Sequence, residues 1–128
     1  SKPTRSRYVI MCVDTMAARK KIFLSLMPTH GVMIDGRIGA YDFSSYAISR
    51  AHLDQHREYA KSLYDDNDAS VDTTDCGTVL GIGATATLCA SHMVWQFIDA
   101  IMERSYPNVV HGSVRPYNLQ SFTWDIRD

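Results

Sequence analysis

Cysteine is scarce in this sequence, and no two cysteines have the spacing of a zinc site. The 128 residues include three cysteines, Cys12, Cys76 and Cys89, so at least one of them stays unpaired within a monomer. The absence of a Cys-x-x-Cys pair argues against a structural zinc site. Cys12 and Cys89 lie among apolar neighbours and are predicted to be core residues. Unpaired cysteines are typical of a reducing compartment, so we expect a cytoplasmic protein.

The sequence also lacks a long uninterrupted hydrophobic run and an excess of charge of either sign. Its longest apolar stretch, residues 82–102, is broken by polar residues that include His92, Gln96 and Asp99, which a membrane-spanning helix does not tolerate well. The formal net charge of -1 gives no general attraction to nucleic acid or to an anionic membrane. We therefore expect no membrane span and no nucleic-acid partner.

What the sequence does contain is an alternation of strand-like and helix-like segments. Apolar runs indicate strands at residues 8–13, 32–39, 40–49, 109–110 and 122–124, and helical periodicity indicates helices at residues 15–27, 52–64 and 84–104. The segment 40–49 is either the continuation or the hairpin partner of the strand before it. The strand–helix–strand order at the start favours a parallel core. We expect a single α/β domain over residues 1–128, with a sheet packed by helices.

A single carboxylate, Asp14, stands where the first predicted strand passes into the first predicted helix. The carboxyl ends of strands are where α/β folds bind ligands, and Mg2+ shared with substrate phosphates takes one or two protein carboxylates. The same position also fits the N-cap of the helix, for which Thr15 is the other candidate. From the pattern alone the cap is the better supported of the two functions for Asp14. A phosphate loop normally precedes such a joint, and only thirteen residues do so here, so we expect the beginning of the domain to be missing.

The polar segment before the long helix contains the second candidate site residue, Cys76. This segment is acidic, small and unpatterned, and we expect residues 65–81 to form a mobile crossover-type loop. An accessible cysteine in such a loop suits a nucleophile that accepts an activated acyl group. Asp72 and Asp75 argue against this role, because nearby negative charge lowers the thiolate fraction. An incidental loop cysteine is the alternative.

Three weaker patterns lie elsewhere in the chain. His52 and His56 are four residues apart and suit a shared metal ion, but no third ligand is identifiable. Residues 81–86 match the G-x-G-x-x-A dinucleotide fingerprint, but the strand that must precede it is too short. Asp35 and Arg37 lie on one face of their predicted strand, where they either form an ion pair or line a site.

Several short motifs follow one another over residues 7–126. They are Val13-Asp14-Thr15-Met16-Ala17-Ala18-Arg19, then Ile34-Asp35-Gly36-Arg37-Ile38-Gly39, then residues 59–63, then Asp75-Cys76 with the small-residue helix after it. In this order the motifs resemble the carboxyl-terminal half of the ThiF/MoeB/HesA family, the bacterial counterpart of the ubiquitin-activating enzymes, and look most like members carried by phages and plasmids. The resemblance implies a partial Rossmann-like (ThiF-type) mixed sheet packed by helices, without the amino-terminal nucleotide-binding half.

The resemblance also implies roles for three residues. Asp14 matches the family aspartate that helps hold magnesium and ATP, and Arg19 matches the arginine that follows it on the helix, so ATP and Mg2+ are the implied cofactors. Cys76 matches the position that some members use to capture the activated carboxylate as a thioester or an acyl-persulfide link. Other members do not need this cysteine. The zinc-binding Cys-x-x-Cys pairs of many relatives are absent here.

The function that the resemblance implies is ATP-dependent adenylation of the carboxyl-terminal glycine of a ubiquitin-like or sulfur-carrier protein. The family's nucleotide loop and phosphate-contacting residues lie in the half that this chain lacks, so we expect the chain to be inactive alone and to need an amino-terminal half, in cis or in trans. We expect a homodimer. Two other hypotheses remain open: a non-catalytic module that uses the long helix to dimerise or to bind another protein, and a small thiol protein built around Cys76.

Overall fold

A computed structural model of the chain describes residues 8–26, 31–65, 83–115 and 118–124. Over these residues the elements follow one another as β1 (Tyr8–Met11), α1 (Met16–Leu26), β2 (Val32–Ile38), β3 (Asp42–Ser49), α2 (Leu53–Lys61), α3 (Gly83–Ile101), β4 (Val109–Arg115) and β5 (Asn118–Trp124). The predicted elements are confirmed in type and order, although β4 and β5 are longer than the sequence indicated. Apart from Asp65, the loop predicted over residues 65–81 lies outside the described residues.

The five described strands form one mixed sheet in the order β1-β2-β3-β4-β5. β1 and β2 are parallel and are joined through α1, whereas β2, β3, β4 and β5 pair antiparallel with their neighbours. The segment 40–49 is therefore a hairpin partner, closed by a hydrogen bond of 2.7 Å from the N–H of Gly39 to the carbonyl of Asp42. So short a connection permits only antiparallel pairing. The α/β class with a mixed, helix-packed sheet is confirmed, and parallel pairing is confined to the first two strands.

The start of α1 is determined by Thr15. The Oγ1 atom of Thr15 accepts a hydrogen bond of 3.2 Å from the N–H of Ala18, three residues into the helix. This is the N-cap interaction that satisfies one of the free N–H groups of a first turn. Of the two capping candidates in the sequence, Thr15 thus forms the cap bond.

The end of α3 comes earlier than the sequence indicated. Glu103 has a positive φ of 55°, its N–H donates to the carbonyl of Ala100, and the N–H of Arg104 donates to the carbonyl of Asp99. This pair of hydrogen bonds is a Schellman motif, which ends a helix at a left-handed residue. The residue is usually glycine, so Glu103 gives no signal in the sequence, and the predicted helix ran on to residue 104. None of the described helices is both long and apolar enough to cross a membrane.

Helices cover both faces of the sheet. On one face α3 packs against the strands in a core formed by Ile34, Phe43, Ala47, Cys89, Met93 and Val110. On the other face α1 and α2 pack in a core formed by Met11, Phe23, Met33, Ile48 and Tyr59. Adjacent strand residues such as Met33 and Ile34 serve opposite faces, because side chains alternate along a strand. The apolar run of β2 is therefore explained by burial on both sides.

Gly36 allows α3 to approach β2 closely. A Cβ atom at this position would overlap the sulfur of Met93 and would lie 3.2 Å from the Sγ of Cys89. The glycine in the middle of the apolar strand is thus a packing requirement of the α3 face. The opposite face of the same strand holds Asp35, and the candidate site is built there.

Candidate functional site

Asp14 lies in the bend between β1 and α1 and is exposed. This bend, the β1–α1 joint, comprises residues 12–15 and follows the carboxyl end of β1. Because Thr15 supplies the cap bond of α1, the helix does not depend on the Asp14 carboxylate for that interaction. An exposed carboxylate at a strand end fits Mg2+, which takes one or two protein carboxylates and fills its other positions with water and phosphate oxygens.

A second carboxylate, Asp35, lies buried in β2, where its backbone pairs with Met11, the last residue of β1. Its Oδ1 accepts a hydrogen bond of 3.0 Å from the Nε of Arg19. Its Oδ2 accepts two, from the Nε of Arg37 at 2.8 Å and from the hydroxyl of Tyr59 at 2.9 Å. Asp35 is 0% exposed, and a buried carboxylate is tolerated only when it is paired and fully hydrogen-bonded. These four residues form the Asp35 network.

Arg19 connects the Asp35 network to the β1–α1 joint. Besides Asp35, its Nη2 donates to the carbonyl of Val13 at 2.5 Å and to the carbonyl of Gly36 at 3.0 Å. The side chain of Arg19 is only 7% exposed, and three of its N–H donors are directed to these protein oxygens. The prediction that Arg19 contacts ATP stays a prediction, and in this structure its described partners belong to the protein.

Arg37 connects the same carboxylate to the end of α2. Its guanidinium donates to the carbonyl and to the Oγ of Ser62, both at 3.0 Å. The guanidinium also lies over the ring of Tyr46, 4.3 Å from the ring centroid, and 5.1 Å from that of Tyr59. Such contacts stabilise a cation that has been removed from water. The sequence left open whether Asp35 and Arg37 pair or line a site, and the structure pairs them.

The Asp35 network contains two guanidinium groups and one carboxylate, so it carries one excess positive charge. The carbonyl oxygens of Val13, Gly36 and Ser62 accept from the guanidiniums and offset part of that excess. Burial, and then the negative charge of Asp35, raises the pKa of Tyr59 well above its ordinary value. The Tyr59 phenol therefore keeps its proton and serves as a donor to Asp35.

The cysteines occupy different environments. Cys76 lies outside the described residues, so its predicted role as a nucleophile stays a prediction. Cys89 is a core residue, as expected, and burial raises the pKa of its thiol, which keeps it protonated and unreactive. Cys12 is exposed, so the prediction that it is a core residue is wrong. The physical reason is that β1 ends at Met11, and Cys12 already belongs to the joint.

His111 of β4 lies beside the Asp35 network. Its Nδ1 lies 2.6 Å from the Oγ of Ser44, and its ring packs edge-on against Tyr46, which also contacts Arg37. Burial, and then the positive charge of Arg37, lowers the pKa of His111 below its ordinary value of 6.5. The folded protein thus resists protonation of this imidazole more than the unfolded chain does.

We expect the free energy of unfolding to fall as the pH is lowered through about 6.5, because the unfolded chain then binds a proton that the folded His111 refuses. The contribution of His111 is fully present above that pH. Urea unfolding of the wild type and of His111→Gln between about pH 5 and pH 8 measures it. The variant should show a weaker loss of stability at low pH, and an equal or steeper loss would contradict the assignment.

Metal ligation by histidine gains no support from the geometry. No group of three His, Cys, Asp or Glu side chains within the described ranges is arranged to hold a metal ion. Of the two histidines four residues apart, His52 is exposed, while His56 is buried and stacks on Phe23 with the ring centroids 5.9 Å apart. Asp14 fits a magnesium ion shared with phosphate oxygens, which needs fewer protein ligands than a site made by the protein alone.

Sequence reasoning found Asp14, Arg19, Asp35 and Arg37. It left an ion pair between Asp35 and Arg37 open, but it did not connect Arg19 to either residue. Tyr59 was part of a recognised motif without an assigned role. A signal was present, because an aspartate within an apolar strand that is buried on both faces must find cationic or donor partners. Two of the partners, Arg19 and Tyr59, are 16 and 24 residues away from Asp35 along the chain, a relation that spacing does not specify.

Comparison with known proteins shows similarity to solved structures alone. No protein-family model and no curated protein matches the chain. Among solved structures, the chain is similar to the selenomethionine crystal structure of PaaA, with a TM-score of 0.51 and 10% sequence identity. The similarity covers 95% of this chain and 43% of the PaaA chain, so this chain spans less than half the length of that protein. At such low identity the likeness concerns the fold alone.

Proposed function

We propose that this chain is the carboxyl-terminal portion of an ATP-dependent activating enzyme of the ThiF type, with a Rossmann-like relationship of its sheet to that family. The observation that carries the proposal is Asp14, an exposed carboxylate at the carboxyl end of a strand whose neighbour in the sheet is parallel. Ligands bind at such strand ends in α/β folds. The motifs that surround Asp14 and Asp35 in the sequence give the specific family.

The proposed reaction joins the carboxyl-terminal glycine of a ubiquitin-like or sulfur-carrier protein to AMP. A carboxylate oxygen of the carrier attacks the α-phosphorus of ATP, a new C–O–P linkage forms, and the bond to the β-phosphate breaks to release pyrophosphate. Magnesium, when bound, would neutralise charge on the phosphates. The part of this chain is to hold the metal through Asp14, while an amino-terminal half in cis or in trans provides the phosphate loop.

Cys76 has a later and separable part in the proposal. After adenylation, a thiolate at this position attacks the carrier's acyl carbon and AMP leaves, which gives a thioester. Adenylation itself does not require the cysteine, because the adenylate forms before the thiolate acts. The two chemical roles can therefore be distinguished by separate measurements.

The proposal is tested by ATP–pyrophosphate exchange with the complete enzyme and its carrier. We expect carrier-dependent exchange in the wild type and in Cys76→Ala, because exchange reports only the adenylation step. Cys76→Ala should lose a carrier adduct that thiols cleave, and Cys12→Ala, which removes the exposed cysteine of the joint, serves as the control that keeps it. Absence of any nucleotide-dependent exchange in the complete wild-type protein would overturn the adenylation function.

A second candidate function is a non-catalytic dimerisation module, and the outer face of α3 favours it. Val94, Trp95 and Ile101 of α3, and Met102 directly after its end, are all roughly half or more exposed. Their spacing places them along one side of the helix. Tryptophan and methionine are enriched in protein interfaces. In this alternative a second copy of the chain covers the outer face of α3, because a two-fold dimer needs only one self-complementary patch.

The module hypothesis predicts that Trp95→Glu converts a dimer to a monomer in sedimentation equilibrium. The matched control is Leu53→Glu, since Leu53 of α2 is 67% exposed and lies outside α3. The dimer should survive in the control. A wild type that is monomeric at its highest soluble concentration would exclude this function.

A further inference from the structure

The β1–α1 joint has no sheet pairing of its own among the described strands. β1 ends at Met11, and α1 begins at Met16. Of the four residues between them, Thr15 joins the first turn of α1, because its carbonyl accepts a hydrogen bond of 3.2 Å from the N–H of Arg19. Residues 12–14 belong to neither element. The carbonyl of Val13, directly before Asp14, is nevertheless held by the Nη2 of Arg19 at 2.5 Å. A contact of this kind restricts the backbone at the point from which the Asp14 side chain projects.

The other end of this contact is firmly anchored. Arg19 donates to Oδ1 of Asp35 and to the carbonyl of Gly36, both in β2, a strand that is paired on each side. Asp35 is fully buried, and its Oδ2 is held by Arg37 and Tyr59. Arg19 thus connects the joint to a buried part of the sheet that is paired on both sides.

We propose that Arg19 is a positioning residue for Asp14, which acts by fixing the carbonyl of Val13 relative to β2 and does not itself contact ATP. The effect of Arg19 on metal binding by Asp14 rests on the proposed function. Its effect on the backbone of the joint can be measured without that function. Arginine suits the role because its planar fork donates to several oxygens at fixed angles, which lysine cannot reproduce.

The structure provides a matched control in Arg37. Arg19 and Arg37 both donate to Asp35 through Nε, at 3.0 Å and 2.8 Å, and both side chains are largely buried. The two guanidiniums differ in the second group to which they donate. Arg19 donates to the carbonyl of Val13 through Nη2. Arg37 donates to the carbonyl of Ser62, at the end of α2, through Nη1. Removing either one leaves Asp35 with a single guanidinium and with Tyr59.

The first test is amide hydrogen exchange on this chain. In Arg19→Met, we expect the amide of Ala18, which donates to the Oγ1 of Thr15 in the joint, to exchange about tenfold faster than in the wild type, because the joint opens locally. In Arg37→Met, the acceleration should appear around Ser62 instead. The inference is overturned if Arg19→Met leaves the exchange rate of the Ala18 amide unchanged, or if both variants accelerate the same amides equally. Arg19→Lys, which keeps the charge, supplies the same comparison if the methionine variant does not fold.

The second test measures the magnesium requirement of pyrophosphate exchange in the complete enzyme. Arg19→Lys should raise the Mg2+ concentration for half-maximal exchange about tenfold, because the ligand is displaced while the charge is retained. Arg37→Lys should not change it, and an equal rise in both variants would overturn the inference. Asp14→Ala is measured alongside. Retained exchange in Asp14→Ala would refute the proposed function, whereas the hydrogen-exchange result would still decide the positioning role.

Discussion

Asp14→Ala is expected to reduce ATP–pyrophosphate exchange by the complete enzyme by about 10²- to 10³-fold, the loss that follows removal of one preorganised electrostatic group. The reason is that Asp14 is an exposed carboxylate at the carboxyl end of β1. In the proposed function it binds the magnesium ion that neutralises charge on the phosphates. The fold should be preserved, because the cap bond of α1 is made by Thr15. Circular dichroism and urea unfolding check the fold, and the exchange rate checks the function.

Two further variants make the Asp14 experiment specific. Asp14→Asn keeps the size of the side chain and removes its charge, so its exchange should be nearly as low as that of the alanine variant. Asp54→Ala removes another exposed aspartate, which forms a surface ion pair of 3.6 Å with Arg57, and exchange should be unaffected. Full exchange in Asp14→Ala, or an equal loss in Asp54→Ala, would refute the role of Asp14.

Asp35→Ala is expected to lower the free energy of unfolding by about 3–5 kcal/mol, the cost of leaving a buried ion-pair partner uncompensated. Two guanidiniums that are 7% and 13% exposed would lose their only described counter-charge, and the Tyr59 hydroxyl would lose its acceptor. Because small domains are stabilised by only about 5–15 kcal/mol, the variant should lose a large fraction of its stability. Denaturant unfolding at neutral pH measures the change.

Glu58→Ala is the control for Asp35→Ala, because it shows that burial rather than distance determines the cost. The Glu58–Lys61 pair is shorter, at 2.6 Å, than either ion pair of Asp35, but its side chains are 49% and 70% exposed. Its loss should cost about 0–1 kcal/mol. If Asp35→Ala does not fold, Asp35→Asn keeps one hydrogen-bond acceptor oxygen at the site and should give an intermediate loss. Equal costs for Asp35→Ala and Glu58→Ala would contradict the buried network.

Much of the fold could be predicted because its elements have local signals. The strand before Asp14, the capped helix after it and the apolar run around Asp35 all follow from side-chain periodicity and turn chemistry. The end of α3 was predicted wrongly because Glu103 adopts a left-handed conformation that usually requires glycine. The exposure of Cys12 was missed because strand ends are set by pairing with a neighbour, and the neighbour of β1 is more than twenty residues away in the chain.

The candidate site was predictable only as a set of separate residues. Asp14 was identifiable from its place after a strand, and Asp35 was conspicuous as a charge in an apolar segment. The sequence assigned Arg19 to ATP by resemblance, but the folded chain gives its guanidinium Asp35, Val13 and Gly36 as partners. Such a network depends on which side chains face each other across helices and strands, and no local pattern carries that information.

The sequence by itself determined an α/β chain whose strands and helices alternate, together with the carboxylate at the β1–α1 joint, because periodicity and capping act over a few residues. Only the tertiary structure decided that β2 turns back into an antiparallel hairpin, and that both oxygens of Asp35 are bound by side chains from α1, β2 and α2. The physical reason is that a buried charge is stabilised by whatever donors packing brings to it, and packing joins residues that are far apart in the chain. The position of Asp14 is therefore a local property of the sequence, while the support that holds it in place is a property of the fold.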